Sequence, residues 1–243
     1  MRRVTDQLRR NFAPTGTLRV ALNHGNRVLV SRDEAGRAKG ITVDIAHALA
    51  ERLELPLTFV EKERAIDVSS IASHDIYDIC FLAVDLERAR TIDFSQPYIR
   101  IEGSYLVAPL CGTTDARTLV SEGHKVGTVE GSAYTLDLSR KAGAENLVLY
   151  PDIDTALKCM DRDEVAAIAG IRNVMEVQAC MRKGARVVEP PFMEILQAIG
   201  TPVGRSEAAQ YLTEFVTDMA RSGRTGEILE HHGISASCVV GPT

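Results

Sequence analysis

Apolar residues fall along the chain in two alternating rhythms. Short apolar runs, "TLRVALN" (17–23), "LTFVEK" (57–62), "DICFLAV" (78–84) and "KVGTVEG" (125–131), are of strand length and end in turns or polar loops. Between the first two, "GITVDIAHALAERLELP" repeats Val43, Ala46, Leu49, Ala50 and Leu53 at three- and four-residue spacing. That spacing predicts a helix, stopped by Pro56. Strand, helix, strand, helix, strand predicts right-handed crossovers and a parallel sheet. "DICFLAV" lacks polar alternation, as a central strand covered on both faces should.

The same rhythm resumes with "SYLVAPL" (104–110), "KVGTVEG", a helix from about Ser132 to Lys141, "NLVLYP", a helix through "DTALKCMDRD", and "VAAIAG". A last apolar strand, "FMEILQAIGTP" (192–202), leads into the helices "SEAAQYLTEFVTDMARSG" and "GEILEHHG". Two comparable α/β units follow, Rossmann-like lobes with no Ser/Gly/Pro-rich joint between them. The chain is therefore expected to cross directly from one to the other, near 103–108 and 193–199. The expected division is an N-terminal extension (1–15), a first lobe (16–104 with 197–243) and a second lobe (105–196). Open parallel sheets bind ligands beyond the carboxyl ends of their strands. Two such units facing each other would enclose a ligand cleft, walled by 23–26 and 83–88 on one side and by 130–134 and 170–173 on the other.

Composition narrows the function. A net charge of −5, with 28 Lys and Arg scattered along the chain, gives no basic stripe for nucleic acid. Trp is absent and aromatics make up 5%, which disfavours a sugar site built on several stacking platforms. Five cysteines (80, 111, 159, 180, 238) show no CxxC and no metal-ligand spacing with His, and read as free thiols of a reducing compartment. The start "MRRVTDQLRRNFAPTG" lacks the apolar core of a secretory signal, and no run approaches the roughly 18 apolar residues of a membrane span. The expectation is a periplasmic protein if a leader was removed, and a cytoplasmic one if Met1 is the native start.

Arg88 follows the central strand by four residues, close to the sheet's carboxyl edge, where its guanidinium could grip a carboxylate in two parallel bonds. Pairing with Glu87 or Asp93, or simple solvation, accounts for it equally well. "VEGSAY" (129–134) turns at Gly131 and offers Ser132 as a helix N-cap, where free N–H groups and the helix dipole favour an anion; a plain capping turn fits the same residues. Ala83 and Tyr134 lie on the two expected walls. Asn23 and Asn26 stand in the loop after the first strand, where Asn often serves the backbone. Glu102 and Gln197 lie at the two expected crossings, as ligand contacts or as ordinary hinge residues.

Taken together, "GITVDIAHALAERLELPLTFVE" and "YDICFLAVDLERARTIDFSQPYIRIEGSYLV" resemble the family 3 extracellular solute-binding proteins, of the type II periplasmic-binding-protein fold. The shared signs are Gly40 with Val43-Asp44-Ile45, Asp78, Glu87-Arg88-Ala89, Ile92-Asp93-Phe94-Ser95 and Pro97-Tyr98, in family order; "KVGTVEGSAY" resembles the second-lobe turn. The likeness runs from about residue 16 to about residue 233. It implies that Arg88 holds a ligand carboxylate, aided by the loop at Ser132, with no cofactor. The chain departs from the family's amino-acid binders at Cys80, Phe81 and Ala83, where small hydroxyl residues are usual, and at Ala133. It departs again near Gly170-Ile171-Arg172, where an acidic residue commonly receives the ligand's ammonium. Arg88 with Arg172 suits a carboxylate or dicarboxylate, or an amino acid held differently, for example by Glu102.

The expected function is therefore a monomeric solute-binding protein, not an enzyme, serving an ABC transporter permease and closing on a small carboxylate-bearing ligand. Two alternatives share the fold, a cyclohexadienyl-dehydratase-like lyase and a cytoplasmic ligand sensor. The lyase needs a proton donor in the cleft. The expected position reads Ile171-Arg172-Asn173, and no HExxH, GxSxG, Walker A or dinucleotide motif is present.

Overall fold

The computed structural model describes residues 3–109, 111–112, 115–116 and 118–241. The chain divides into two compact units, 1–100 with 196–243, and 101–195.

The first unit opens with α1 (Asp6–Phe12), which the sequence left in an extension. Thr5 caps it through Leu8 N–H, and its apolar face, Leu8 and Phe12, is buried. Then come β1 (Leu18–Asn23), the two-stranded ribbon β2 (Ser31–Arg32) and β3 (Ala38–Lys39), α2 (Ile41–Leu53), β4 (Leu57–Lys62), α3 (Ala65–Ser69) and β5 (Ile79–Ala83). Strand β1 lies parallel to both β4 and β5, as the alternating rhythm predicts. All five residues of β5 are buried. Helix α2 buries eight residues from Ile41 to Leu53 and ends at Glu54 in the left-handed region, ahead of Pro56. Gly40, which starts it, has φ 126°, and an added Cβ would stand 2.7 Å from the Leu29 carbonyl, so no other residue fits there.

Strand β6 (Ile92–Val107) is sixteen residues long and begins well before the "SYLVAPL" run. Leu110, at the end of that run, lies outside the described residues. The second unit continues with β7 (Val126–Val129), α4 (Ala133–Leu138), β8 (Leu147–Tyr150), α5 (Ile153–Met160), β9 (Ala167–Ile171), α6 (Arg172–Met181) and β10 (Arg186–Pro202). Strand β7 is parallel to β8 and β9, while β9 runs antiparallel to β6. Its core gathers Leu106, Ala156, Leu157, Met160, Ile168 and Met175. Both β6 and β10 pass from one unit to the other, and the end of β10 returns to pair antiparallel with β5. The first unit is completed by α7 (Ser206–Arg221) and α8 (Arg224–His231).

Helix α1 is fastened to α7. The Phe12 ring meets Tyr211 edge-on at 5.8 Å, Asn11 Oδ1 accepts Ala208 N–H, and Arg205 donates to the Phe12 carbonyl. The same Arg205 reaches Asp78, which is fully buried at the entrance of β5. Asp78 also accepts the backbone N–H of Arg19 and two bonds from its guanidinium, at 2.8–3.0 Å. A buried carboxylate is tolerated here because two cations and a backbone amide replace its water. That exchange raises the Arg19 pKa, chiefly through the Asp78 bond.

Candidate functional site

In the first unit the candidate residues gather at the carboxyl ends of β1 and β5. Ala83 ends β5 and pairs in register with Gln197 of β10; both are buried. Beyond it the chain makes a tight turn into a 3₁₀ segment, Arg88–Arg90. Arg88 is 4% exposed, and its Nη1 donates to the Ala83 carbonyl at 2.9 Å. The solvated alternative for Arg88 is thereby removed. Burial pulls its pKa down to about 10, against the opposing field of Asp85. A guanidinium whose desolvation outweighs the field of its neighbours gains from an arriving anion.

Asp85 is itself buried, at 8% exposure. Its Oδ1 accepts Glu87 N–H at 2.9 Å, an Asx turn that shapes the approach to Arg88. Arg90, by contrast, is a surface group paired with Glu87 at 3.1 Å. Around this edge Val84, Leu86 and Leu196 expose apolar side chains, Leu86 at 76%, and Val84 N–H bonds the Leu196 carbonyl. Behind it Phe81 meets Tyr98 edge-on at 6.0 Å, and burial pushes the Cys80 thiol up to about 12.

The loop after β1 is built largely by its own asparagines. Asn23 Oδ1 accepts Gly25 N–H, and the Asn26 carbonyl receives the N–H groups of Leu29 and Val30. Asn26 is buried, and its Oδ1 has no hydrogen-bond partner among the described residues. Within this loop His24, also buried, meets Glu61 at 2.7 Å.

In the second unit Gly131 takes φ 68° and Ser132 caps α4, its Oγ accepting Thr135 N–H at 3.1 Å. Thr135 Oγ1 donates to the Val129 carbonyl at 2.6 Å, so the hydroxyls of Ser132 and Thr128, 2.8 and 2.6 Å away, donate to it in turn. The Ser132 hydroxyl proton is therefore directed into the fold. Tyr134 is buried, and burial raises its hydroxyl to about 12. Arg172, at the start of α6, is engaged by three carboxylates. Its Nε donates to Glu176 at 2.8 Å, and Nη1 donates to Glu102 at 3.2 Å and to Glu189 at 3.1 Å. These bonds, Glu176 first, raise its pKa. One cation against three carboxylates leaves no positive charge to offer a second ligand carboxylate. Ile171, in the position where the family resemblance calls for an acid, is buried at the end of β9.

Among the described residues no group of His, Cys, Asp and Glu could hold a metal ion, and no helix is long and apolar enough to cross a membrane. The five cysteines are unpaired in the structure.

Comparison with solved structures shows the mixed α/β fold of type II periplasmic binding proteins. The P235GK mutant of ArgBP from T. maritima superposes with a TM-score of 0.79 at 16% identity, covering 93% of this chain and 99% of that one. An ancestral arginine-binding protein bound to glutamine gives 0.75 at 22% identity, covering 89% and 97%. The ancestral amino acid-binding protein AncCDT-1, a precursor of cyclohexadienyl dehydratase, gives 0.75 at 19%, covering 93% and 99%. No match was found among curated protein sequences. The sequence matches the family model of the bacterial extracellular solute-binding proteins, family 3, over residues 18–234. Its fold and that match, which takes in all of the motifs noted above, establish that the chain belongs to this family of solute-binding proteins.

Proposed function

We propose that the protein binds a small carboxylate-bearing solute, an amino acid or organic acid, with Arg88 as its anchor, and serves as the substrate-binding component of an ABC transporter. The observation that carries this reading is the buried guanidinium at the carboxyl edge of β5, fixed to the Ala83 carbonyl at 2.9 Å, whose desolvation outweighs the field of Asp85. The exposed Val84, Leu86 and Leu196 favour a ligand with an apolar portion. Arg172 is left out, because its carboxylate partners already satisfy it.

Closure of the two units around the ligand belongs to the same reading, and small-angle scattering tests it by a fall in radius of gyration at saturation. So does export with a neighbouring permease, which the surrounding genes test. The direct test is a thermal-shift screen of amino acids, dicarboxylates and aromatic acids on wild type and Arg88→Ala. A ligand that stabilises both proteins equally would remove Arg88 from the site.

A further inference from the structure

The turn that presents Arg88 is organised by one side chain, Asp85. Its Oδ1 accepts Glu87 N–H at 2.9 Å, its carbonyl accepts Ala89 N–H at 2.9 Å, and Arg88 lies between those two donors in sequence. Both Asp85 and Arg88 are more than nine-tenths buried, so the carboxylate acts on the guanidinium through a medium of low dielectric.

We propose that Asp85 is a positioning residue that acts through Arg88 in two separable ways. Its acceptor oxygen fixes the turn that carries the guanidinium, and its charge sets which anions that guanidinium accepts. The inference rests on the carboxylate reading of Arg88 given above. With Asp85 ionised, the buried pair is neutral. A zwitterion leaves it neutral, a monoanion makes it singly negative, and a dianion makes it doubly negative, an uncompensated charge that is costly at a buried site. Asp85 therefore selects amino acids and monocarboxylates over dicarboxylates.

Asp85→Asn separates the two roles, because the amide oxygen still accepts Glu87 N–H while the charge is gone; Asp85→Ala removes both. Calorimetry uses glutarate as the dianion and L-glutamine as the zwitterion. Removing a like charge at close range changes binding of a charged group by about tenfold or more. Asp85→Asn is expected to tighten glutarate by at least that factor and to leave L-glutamine within about threefold. Hydrogen exchange reads the turn without any ligand: Glu87 N–H stays protected in Asp85→Asn and loses protection in Asp85→Ala. Unchanged glutarate affinity in Asp85→Asn overturns the charge role, and equal Glu87 protection in both variants overturns the positioning role. Arg88→Ala separates this inference from the reading beneath it. If Arg88→Ala abolishes binding while Asp85→Asn matches wild type, only the Asp85 inference fails. If neither probe binds any of these proteins, or both bind Arg88→Ala undiminished, the result counts against both.

Discussion

Asp78→Ala removes the carboxylate that fastens the entrance of β5 to β1 and to the segment before α7. Asp78 is fully buried and accepts four bonds, three from Arg19 and one from Arg205. Deleting one partner of a buried ion pair costs about 3–5 kcal/mol, because the remaining charge is left desolvated. Here the two guanidiniums keep some solvent, each being 18% exposed, and both retain Asp75 at 2.7 and 3.2 Å. The lower end, about 3 kcal/mol, is therefore expected. For a chain of this length that lowers Tm by roughly 6–12 °C. Urea titration followed by circular dichroism measures it, with Asp78→Asn expected to fall between because its amide oxygen still accepts. A loss below about 1 kcal/mol would refute the reasoning, since surface pairs alone reach that value. Because Arg205 also holds the Phe12 carbonyl, α1 should lose amide protection in the same variant.

Two further outcomes follow from the second unit and from the thiols. Ser132→Ala should lower stability by about 1 kcal/mol, the usual worth of an N-cap, while changing ligand affinity far less than Arg88→Ala, because the hydroxyl proton already serves Thr135. Denaturant titration and calorimetry on the same preparation separate the two effects. Burial holds the Cys80 thiol at about 12, above its ordinary value, so its thiolate fraction at pH 8 is on the order of 10⁻⁴. Iodoacetamide at pH 8 should label the exposed Cys180 and spare Cys80 in the native protein, as peptide mass mapping would show.

Much of the sheet was legible because parallel strands covered on both faces are written as apolar runs, without a break in β5 and interrupted only by Arg19 in β1 and Thr128 in β7. Helix α2 was legible from its periodic apolar face and from Pro56. The long strands were not. Pro97, Pro190 and Pro191, with polar residues between them, broke the pattern of β6 and β10, whose outer stretches are only partly buried. Helix α6 has no side-chain cap and buries only Met175, so no apolar stripe marks it. Helix α1 earns its burial from Tyr211 and Ala208, about 200 residues away, which no local window contains.

The candidate site was legible in part for the same reason. Arg88 could be placed by counting from the end of a strand that sequence located correctly. Asp85 could not be distinguished from its charged neighbours, since its burial depends on how the turn folds back. The three carboxylates around Arg172 come from positions 102, 176 and 189, so sequence saw a cation and missed its partners.

The central claim is that Arg88 anchors the ligand's carboxylate. Isothermal titration of the best-stabilising acid against wild type, Arg88→Lys and Arg88→Ala tests it most directly. Truncating one partner of a buried, hydrogen-bonded charge pair costs about 2–5 kcal/mol, so Arg88→Ala should weaken binding about 30-fold or more, with Arg88→Lys between. The same acid's amide or methyl ester should bind wild type with the same loss. Affinity within about threefold of wild type in Arg88→Ala, or an ester that binds as well as its acid, would contradict the account.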